Sequence, residues 1–260
     1  MGGLHAGHSA LIRRARDAGN FVVVSVFVNP TQFGPGEDYL RYPRDLAADA
    51  ECARRDGCDL IFAPSVAEMY PPGDYVRVEP GPLADRLCGP FRPGHFAGVC
   101  TIVGKLFNIV RPDAAYFGAK DYQQAEIVRA LIADLNIPIR LVICPTVREH
   151  DGLACSTRNA GLSPAQRRQA PALFAALCVG RDLILSGERS AGRLVAAMRR
   201  VIDDAGPCRI DYMAVADPET LTDVAVVSGP VLLAAAIRLG SPESGVTRLI
   251  DSLLVDPPLG

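Results

Sequence analysis

After the first eight residues, apolar positions recur at helical spacing (Leu11, Ile12, Ala15, Ala18), so the chain opens on a short polar loop feeding a helix. Phe21 to Val28 then reads FVVVSVFV without a break. An unbroken, β-branched run of this kind predicts a strand buried on both faces of a parallel sheet, with a neighbour on each side. It ends in the polar segment Asn29-Pro30-Thr31-Gln32-Phe33-Gly34. The charged stretch Tyr39 to Arg55 predicts a helix, Asp59 to Ala63 a second strand, and Tyr75 to Val78 a short edge strand. Helical spacing returns from Gly98 to Val110 (Val99, Ile102, Val103, Leu106, Ile109). A short strand follows at Ala114 to Phe117, then a polar turn, a helix through Leu135 and a strand at Arg140 to Cys144. Strands alternating with helices predict a doubly wound parallel sheet.

Beyond Pro145 the pattern changes. Two helices, about Ser163 to Leu185 and Ala191 to Asp204, precede apolar runs at Arg209 to Val215, Val224 to Val227 and Val231 to Leu239, with no helix between the runs. That order predicts an α+β unit with a mainly antiparallel sheet. The fold class is therefore α/β: a Rossmann-like doubly wound domain, 1–146, and a smaller α+β C-terminal domain, 147–260. Asp256 to Gly260 reads as a frayed end.

Composition narrows the function classes. No apolar run is long enough to span a membrane, and a formal net charge of -2 leaves no electrostatic footprint for nucleic acid. No secretory signal pattern follows Met1. The eight cysteines lie mostly in apolar runs, with no C-x-x-C pair, as expected of reduced core residues in a cytoplasmic protein. His95 and His150 are too far apart in sequence to suggest zinc. Only Lys105 and Lys120 among 27 basic residues are lysine, a pattern that reads either as two places needing a compact ammonium or as chance.

Four polar clusters fall where predicted strands end. In the first, Gly2 and Gly3 let the backbone turn tightly, and His5 and His8 share one face of the first helical turn. A helix N-terminus beside them makes a small anion site. The others are Asn29/Gln32, Lys120/Asp121/Gln124 and Ser156-Thr157-Arg158-Asn159. Taken singly, each has a bland alternative: surface histidines beside a turn, an Asn-Pro turn, a solvated pair capping a helix, an ordinary loop.

In this order the clusters resemble the pantoate–β-alanine ligase family of the nucleotidyltransferase superfamily. M-G-x-L-H-x-G-H stands at Met1 to His8, F-V-N-P-x-Q-F at Phe27 to Phe33 and Y-P-R at Tyr42 to Arg44. R-P-x-H-F-x-G-V stands at Arg92 to Val99, F-G-x-K-D-x-Q-Q at Phe117 to Gln124, D-G-L-A-x-S-x-R-N at Asp151 to Asn159 and T-R-L-I-D at Thr247 to Asp251. The resemblance spans essentially the whole chain.

It implies ATP-dependent condensation of pantoate with β-alanine through a pantoyl adenylate, giving pantothenate, the coenzyme A precursor, with release of AMP and pyrophosphate. It also implies magnesium and a homodimer. His5, His8, Lys120, Ser156 and Arg158 carry over as catalytic residues, with His8 the family's proton donor and Lys120 the point charge over the phosphates. Met1, Gly2, Gly3, Leu4, Ala6 and Gly7 join the two histidines as ATP contacts. So do Gly118, Ala119, Lys120, Asp121, Val147, Cys155, Ser156, Thr157 and Arg158. Gln32 and Gln124, with Asn29, Tyr42 and Arg92, carry over to pantoate. A pair of neutral amides suits its hydroxyls and carboxylate without burying a charge. Asp49 is the expected magnesium-side carboxylate.

Three positions depart from the family pattern. Ala119 replaces Glu or Gln, Cys155 replaces Met or Leu, and Thr157 replaces Ser. Cys155 reads as an apolar wall beside the adenine rather than a nucleophile. The family also carries a first strand and a Pro-Thr ahead of the position of Met1, absent from this sequence. The expectation is that Met1 is an internal methionine and that the working protein begins upstream. Two alternatives stand beside the ligase: another H-x-G-H nucleotidyltransferase, or a truncated, non-catalytic nucleotide-binding remnant.

Overall fold

The computed structural model describes residues 2–73, 76–240 and 245–258. Within them the chain forms two compact units: 1–85, 92–119 and 124–147 make the first, and 86–91, 120–123 and 148–260 make the second. Two short excursions from the N-terminal part of the sequence thus belong to the C-terminal unit.

In the N-terminal unit, α1 (Ala6–Asp17), β1 (Val23–Ser25), α2 (Leu46–Arg55), β2 (Leu60–Phe62), α3 (Val66–Met69), α4 (His95–Val110), β3 (Ala114–Gly118), α5 (Tyr122–Asp134, entered from the other unit) and β4 (Arg140–Cys144) alternate along the chain. Both of its ladders are parallel, β1 on β2 and β3 on β4. The expected alternating parallel α/β fold is present. The run Phe21 to Val28 behaves differently from a strand flanked on both sides. Its ladder is three residues long, and among the described residues β1 pairs only with β2.

Burial on two faces is nevertheless what the run achieves. Val22 packs with Ile12, Ala15 and Ala53, with Val24 against that cluster, whereas Phe27 joins Val99, Ile102, Val103 and Phe107 of α4 on the other side. Only Phe21 escapes, at 73% exposure.

The predicted helix from Tyr39 begins later, at Leu46, because Pro43 cannot continue a helix and Asp45 caps the new one by accepting from the Ala48 N–H. A single 3-10 turn, Asp38–Arg41, fills the preceding segment. Of the predicted edge strand Tyr75 to Val78, Tyr75 lies outside the described residues, and 76–78 is not strand.

In the C-terminal unit, α6 (Pro164–Gln169), α7 (Ala172–Leu185) and α8 (Ala191–Asp204) precede β5 (Arg209–Ala216), β6 (Val231–Leu239) and β7 (Thr247–Val255). The sheet is antiparallel in the order β5-β6-β7. One predicted helix from Ser163 is two, broken at Pro171. The predicted strand Val224 to Val227 contributes one isolated bridge, Ser190 to Val226, with a second, Ala216 to Asp223, just before it. Strand β7 has no counterpart among the predicted elements, because its charged Arg248 and Asp251 obscure the apolar alternation. Both are accommodated by ion pairs: Arg248 with Asp211, and Asp251 with Arg148. Leu173, Leu177 and Ile184 of α7, Leu194, Met198 and Ile202 of α8, and Leu233 and Ile237 of β6 build the core.

Candidate active site

The two histidines of the opening loop cap each other. His5 is the N-cap of α1 and His8 its third residue, and the pair forms a capping box. The Gly7 N–H donates to His5 Nδ1 at 3.1 Å, and the His5 N–H donates to His8 Nδ1 at 3.3 Å. A backbone N–H can only donate, so both Nδ1 atoms are acceptors and each neutral ring carries its proton on Nε2. With ring centroids 4.1 Å apart, two imidazole N–H donors stand together at the positive end of α1.

Asp49 holds this loop from α2. It is 3% exposed, and its oxygens accept the Gly3 N–H at 2.9 Å and the Leu4 N–H at 2.6 Å. Gly3 sits at φ +71°, a left-handed conformation in which a side chain would be strained. Met1 lies outside the described residues.

For the magnesium expected at Asp49 the fit is poor. Magnesium wants carboxylate oxygens at about 2.0–2.1 Å within an octahedron largely of water and phosphate oxygens. Here the carboxylate is buried, and each of its oxygens already accepts a backbone N–H that fixes its direction.

The segment after β1 presents Gln32 on a 3-10 turn, Pro30–Gln32, capped by Asn29. Asn29 is 2% exposed, and its Nδ2 donates to Gln32 Oε1 at 3.1 Å and to the Gly98 carbonyl oxygen at 3.0 Å. Arg92 lies beneath the same turn. Its guanidinium grips Glu37 in a bidentate pair and donates to the Gln32 carbonyl oxygen at 3.2 Å. It also donates to His95 Nε2 at 3.0 Å, which makes that nitrogen an acceptor and leaves Nδ1–H of His95 to donate to the Gln32 carbonyl at 2.7 Å. Burial alone would push the Glu37 carboxyl up, but Arg92, with His95 nearby, holds it below the usual carboxylate range. Arg92, carried over as a pantoate contact, is thus engaged in fixing the backbone that carries Gln32. Tyr42 is buried and packs edge-on against Phe33, the residue after Gln32.

Gly118 ends β3, Ala119 follows it, and Gln124 is half-buried near the start of α5, all in the N-terminal unit with Val147. Lys120 and Asp121 belong to the C-terminal unit and stand 3.6 Å apart as an ion pair. The neighbouring glutamine serves the scaffold. Gln123 is buried, accepts the Cys88 N–H and donates to the Arg86 carbonyl, tying 86–88 to 120–123.

In the same unit, Ser156 caps the turn Thr157–Gly161 by accepting from the Arg158 N–H at 3.3 Å. The loop before it is braced from several sides. Arg148 pairs with Asp251, donates to the Gly152 carbonyl and stacks 3.6 Å over the Phe174 ring. Asn159 donates to Glu149 and to the Ala154 carbonyl, and Arg167 bridges Glu149 and Asp151. Burial, reinforced by Glu149, pushes the Cys155 thiol above its ordinary range, as suits a packing residue rather than a nucleophile.

Among the supporting residues, Glu37 and Glu149 stand outside every quoted motif. As single polar residues in loops they carry no pattern of their own, and only their partners reveal them.

A family model described as Pantoate-beta-alanine ligase matches residues 1–254. The pantothenate synthetase of Moorella thermoacetica is 52% identical over 258 residues, spanning 98% of this chain and 89% of that protein. The crystal structure of pantothenate synthetase from Thermus thermophilus superposes with a TM-score of 0.94 at 48% identity, over 99% of this chain and 91% of that one. The pantoate-beta-alanine ligase of Francisella tularensis, solved in complex with beta-gamma ATP and beta-alanine, gives a TM-score of 0.75 at 32% identity, over 96% and 85% of the two chains.

Proposed function

The chain belongs to the pantoate–β-alanine ligase family, and we propose that it joins pantoate to β-alanine through a pantoyl adenylate held by the residues described above. The overall reaction is ATP-dependent ligation in pantothenate biosynthesis. The observation that carries the mechanism is the mutual capping of His5 and His8, which commits both Nδ1 atoms to backbone and leaves an N–H on each Nε2.

When the pantoate carboxylate attacks the α-phosphorus of ATP, charge grows on the phosphoryl oxygens and on the departing pyrophosphate. Donors already oriented at a helix N-terminus stabilise that charge without reorganising. Lys120, Ser156 and Arg158 are assigned to the triphosphate. Gln32 and Gln124 are assigned to the hydroxyls and carboxylate of pantoate. The amine of β-alanine then attacks the acyl carbon, AMP leaves, and the amide forms. Magnesium arrives with the nucleotide as part of the substrate, and Asp49 is not assigned to it.

Pyrophosphate release separates the possibilities. With ATP and pantoate alone the enzyme is expected to release about one pyrophosphate per site and stop, resuming when β-alanine is added. Absence of any release until β-alanine is present would overturn the adenylate and favour a concerted route.

A further inference from the structure

The orientation of the Gln32 amide is decided by a chain of hydrogen bonds that begins well away from it in sequence. Asn29 sits at the centre. Its Oδ1 accepts from the Thr31 N–H at 3.4 Å and from Thr31 Oγ1 at 3.0 Å, and its Nδ2 donates to the Gly98 carbonyl at 3.0 Å. A backbone N–H can only donate and a carbonyl can only accept, so the Asn29 carboxamide has one allowed orientation. It follows that the atom of Gln32 facing Asn29 Nδ2 is Oε1, at 3.1 Å. The Gln32 NH2 group is therefore the end of the amide turned away from Asn29 Nδ2, and its chemistry suits oxygen acceptors such as a carboxylate or hydroxyl.

The shortest bond to Asn29 Oδ1 comes from Tyr70, whose phenol O–H donates at 2.7 Å. Its Oη is also 3.2 Å from Thr31 Oγ1. The Tyr70 ring is held in turn by Lys105. The ammonium lies 4.5 Å from the ring centroid and donates to the carbonyl oxygen of Met69, while Phe27 packs against the ring at 6.3 Å. Lys105 is one of only two lysines in a chain otherwise supplied with arginine. A compact ammonium with freely rotating donors can cover a ring face and reach a nearby carbonyl together; a planar guanidinium divides these roles differently.

We propose that Tyr70 is a positioning residue for pantoate: through Asn29 it fixes which end of the Gln32 amide faces Asn29, and Lys105 holds Tyr70 in place. This rests on the assignment of Gln32 to pantoate. Tyr70 touches no substrate; its effect is on which end of an amide the substrate meets.

The test is a cycle of Tyr70→Phe, Gln32→Ala and the double variant, with pantoate KM, ATP KM and kcat read from pyrophosphate release and folding read from melting. Tyr70→Phe is expected to raise the pantoate KM about 5–10-fold, the range of one lost hydrogen bond, with the ATP KM and kcat unchanged. In the Gln32→Ala background the same substitution is expected to leave the pantoate KM where it was. An equal penalty in both backgrounds, or no penalty in the parent, overturns the role of Tyr70 while the assignment of Gln32 stands. A wild-type pantoate KM in Gln32→Ala overturns that assignment, and this inference with it. If Tyr70→Phe does not fold, Lys105→Met replaces it in the same cycle: a raised pantoate KM that depends on Gln32 supports the chain of contacts, and an unchanged KM overturns it.

Discussion

A Cβ atom added to Gly98 would lie 2.3 Å from the carbonyl oxygen of Thr31. Helix α4 therefore meets the turn that carries Gln32 backbone to backbone, and the close approach is sealed by the bond from Asn29 to the Gly98 carbonyl.

Gly98→Ala tests that contact through the sign of its effect. In an ordinary helix interior, alanine is more stable than glycine by roughly 1 kcal/mol. Here the methyl group must drive the turn away or bend α4, a strain of about 1–3 kcal/mol. The expected result is a lower melting temperature together with at least a tenfold rise in pantoate KM, roughly 1.4 kcal/mol. A variant that melts higher than the parent would show that the turn yields without cost.

Asp49 offers a contest between two roles for one carboxylate. As the clamp on the Gly3 and Leu4 amides it makes charge-assisted bonds worth about 1.5–3 kcal/mol. Asp49→Asn turns an acceptor into a donor facing a backbone N–H. Stability and ATP affinity should both fall, and excess magnesium should restore neither. A variant of normal stability whose activity returns on raising magnesium would make Asp49 a metal-side group instead.

Lys120 is largely enclosed, its side chain 21% exposed beside Asp121. Lys120→Arg keeps the charge but spreads it over a wider, planar group. Adenylate formation is expected to slow by about tenfold or more, since a misplaced charge-assisted bond costs about 1.5–3 kcal/mol, with melting unchanged. Single-turnover pyrophosphate release measures it, and a wild-type rate would remove any special role for the lysine.

Acid should act on the C-terminal unit through Asp211, whose fully buried carboxylate accepts from Arg238 and Arg248. Burial alone would push this carboxyl up, but the two arginines hold it below its ordinary value near 3.8. A depressed folded pKa contributes stability that is complete above the ordinary value and is lost as pH falls through the folded one. Asp211→Asn should therefore be less stable than the parent at neutral pH by about 3–5 kcal/mol, because two arginines lose their counterion. The difference should narrow as pH drops below about 3.8, where protonation removes the same charge from the parent. Urea unfolding at a series of pH values measures the gap, and a gap independent of pH would remove the electrostatic explanation.

The sequence by itself determined the alternation of helices and strands, the change of texture after Pro145, and which short motifs carry the chemistry. Those properties are local: periodicity, proline and cap residues act over a few positions. Motif order was enough to bring out the family. What only the tertiary structure decided is the work each polar residue does. Asp49 and Arg92 have the chemistry of ligands, yet one clamps loop amides and the other grips Glu37 and the Gln32 carbonyl. Adjacent Gln123 and Gln124 are chemically identical, but they fall in different compact units, and Gln123 is consumed by the backbone of 86–88. Strand β7 was hidden for the same reason, its charges being matched by Asp211 and Arg148 from distant segments. Whether a buried polar group serves a substrate or the scaffold depends on its hydrogen-bond partners. Those partners arrive from remote parts of the sequence, and no local pattern records them.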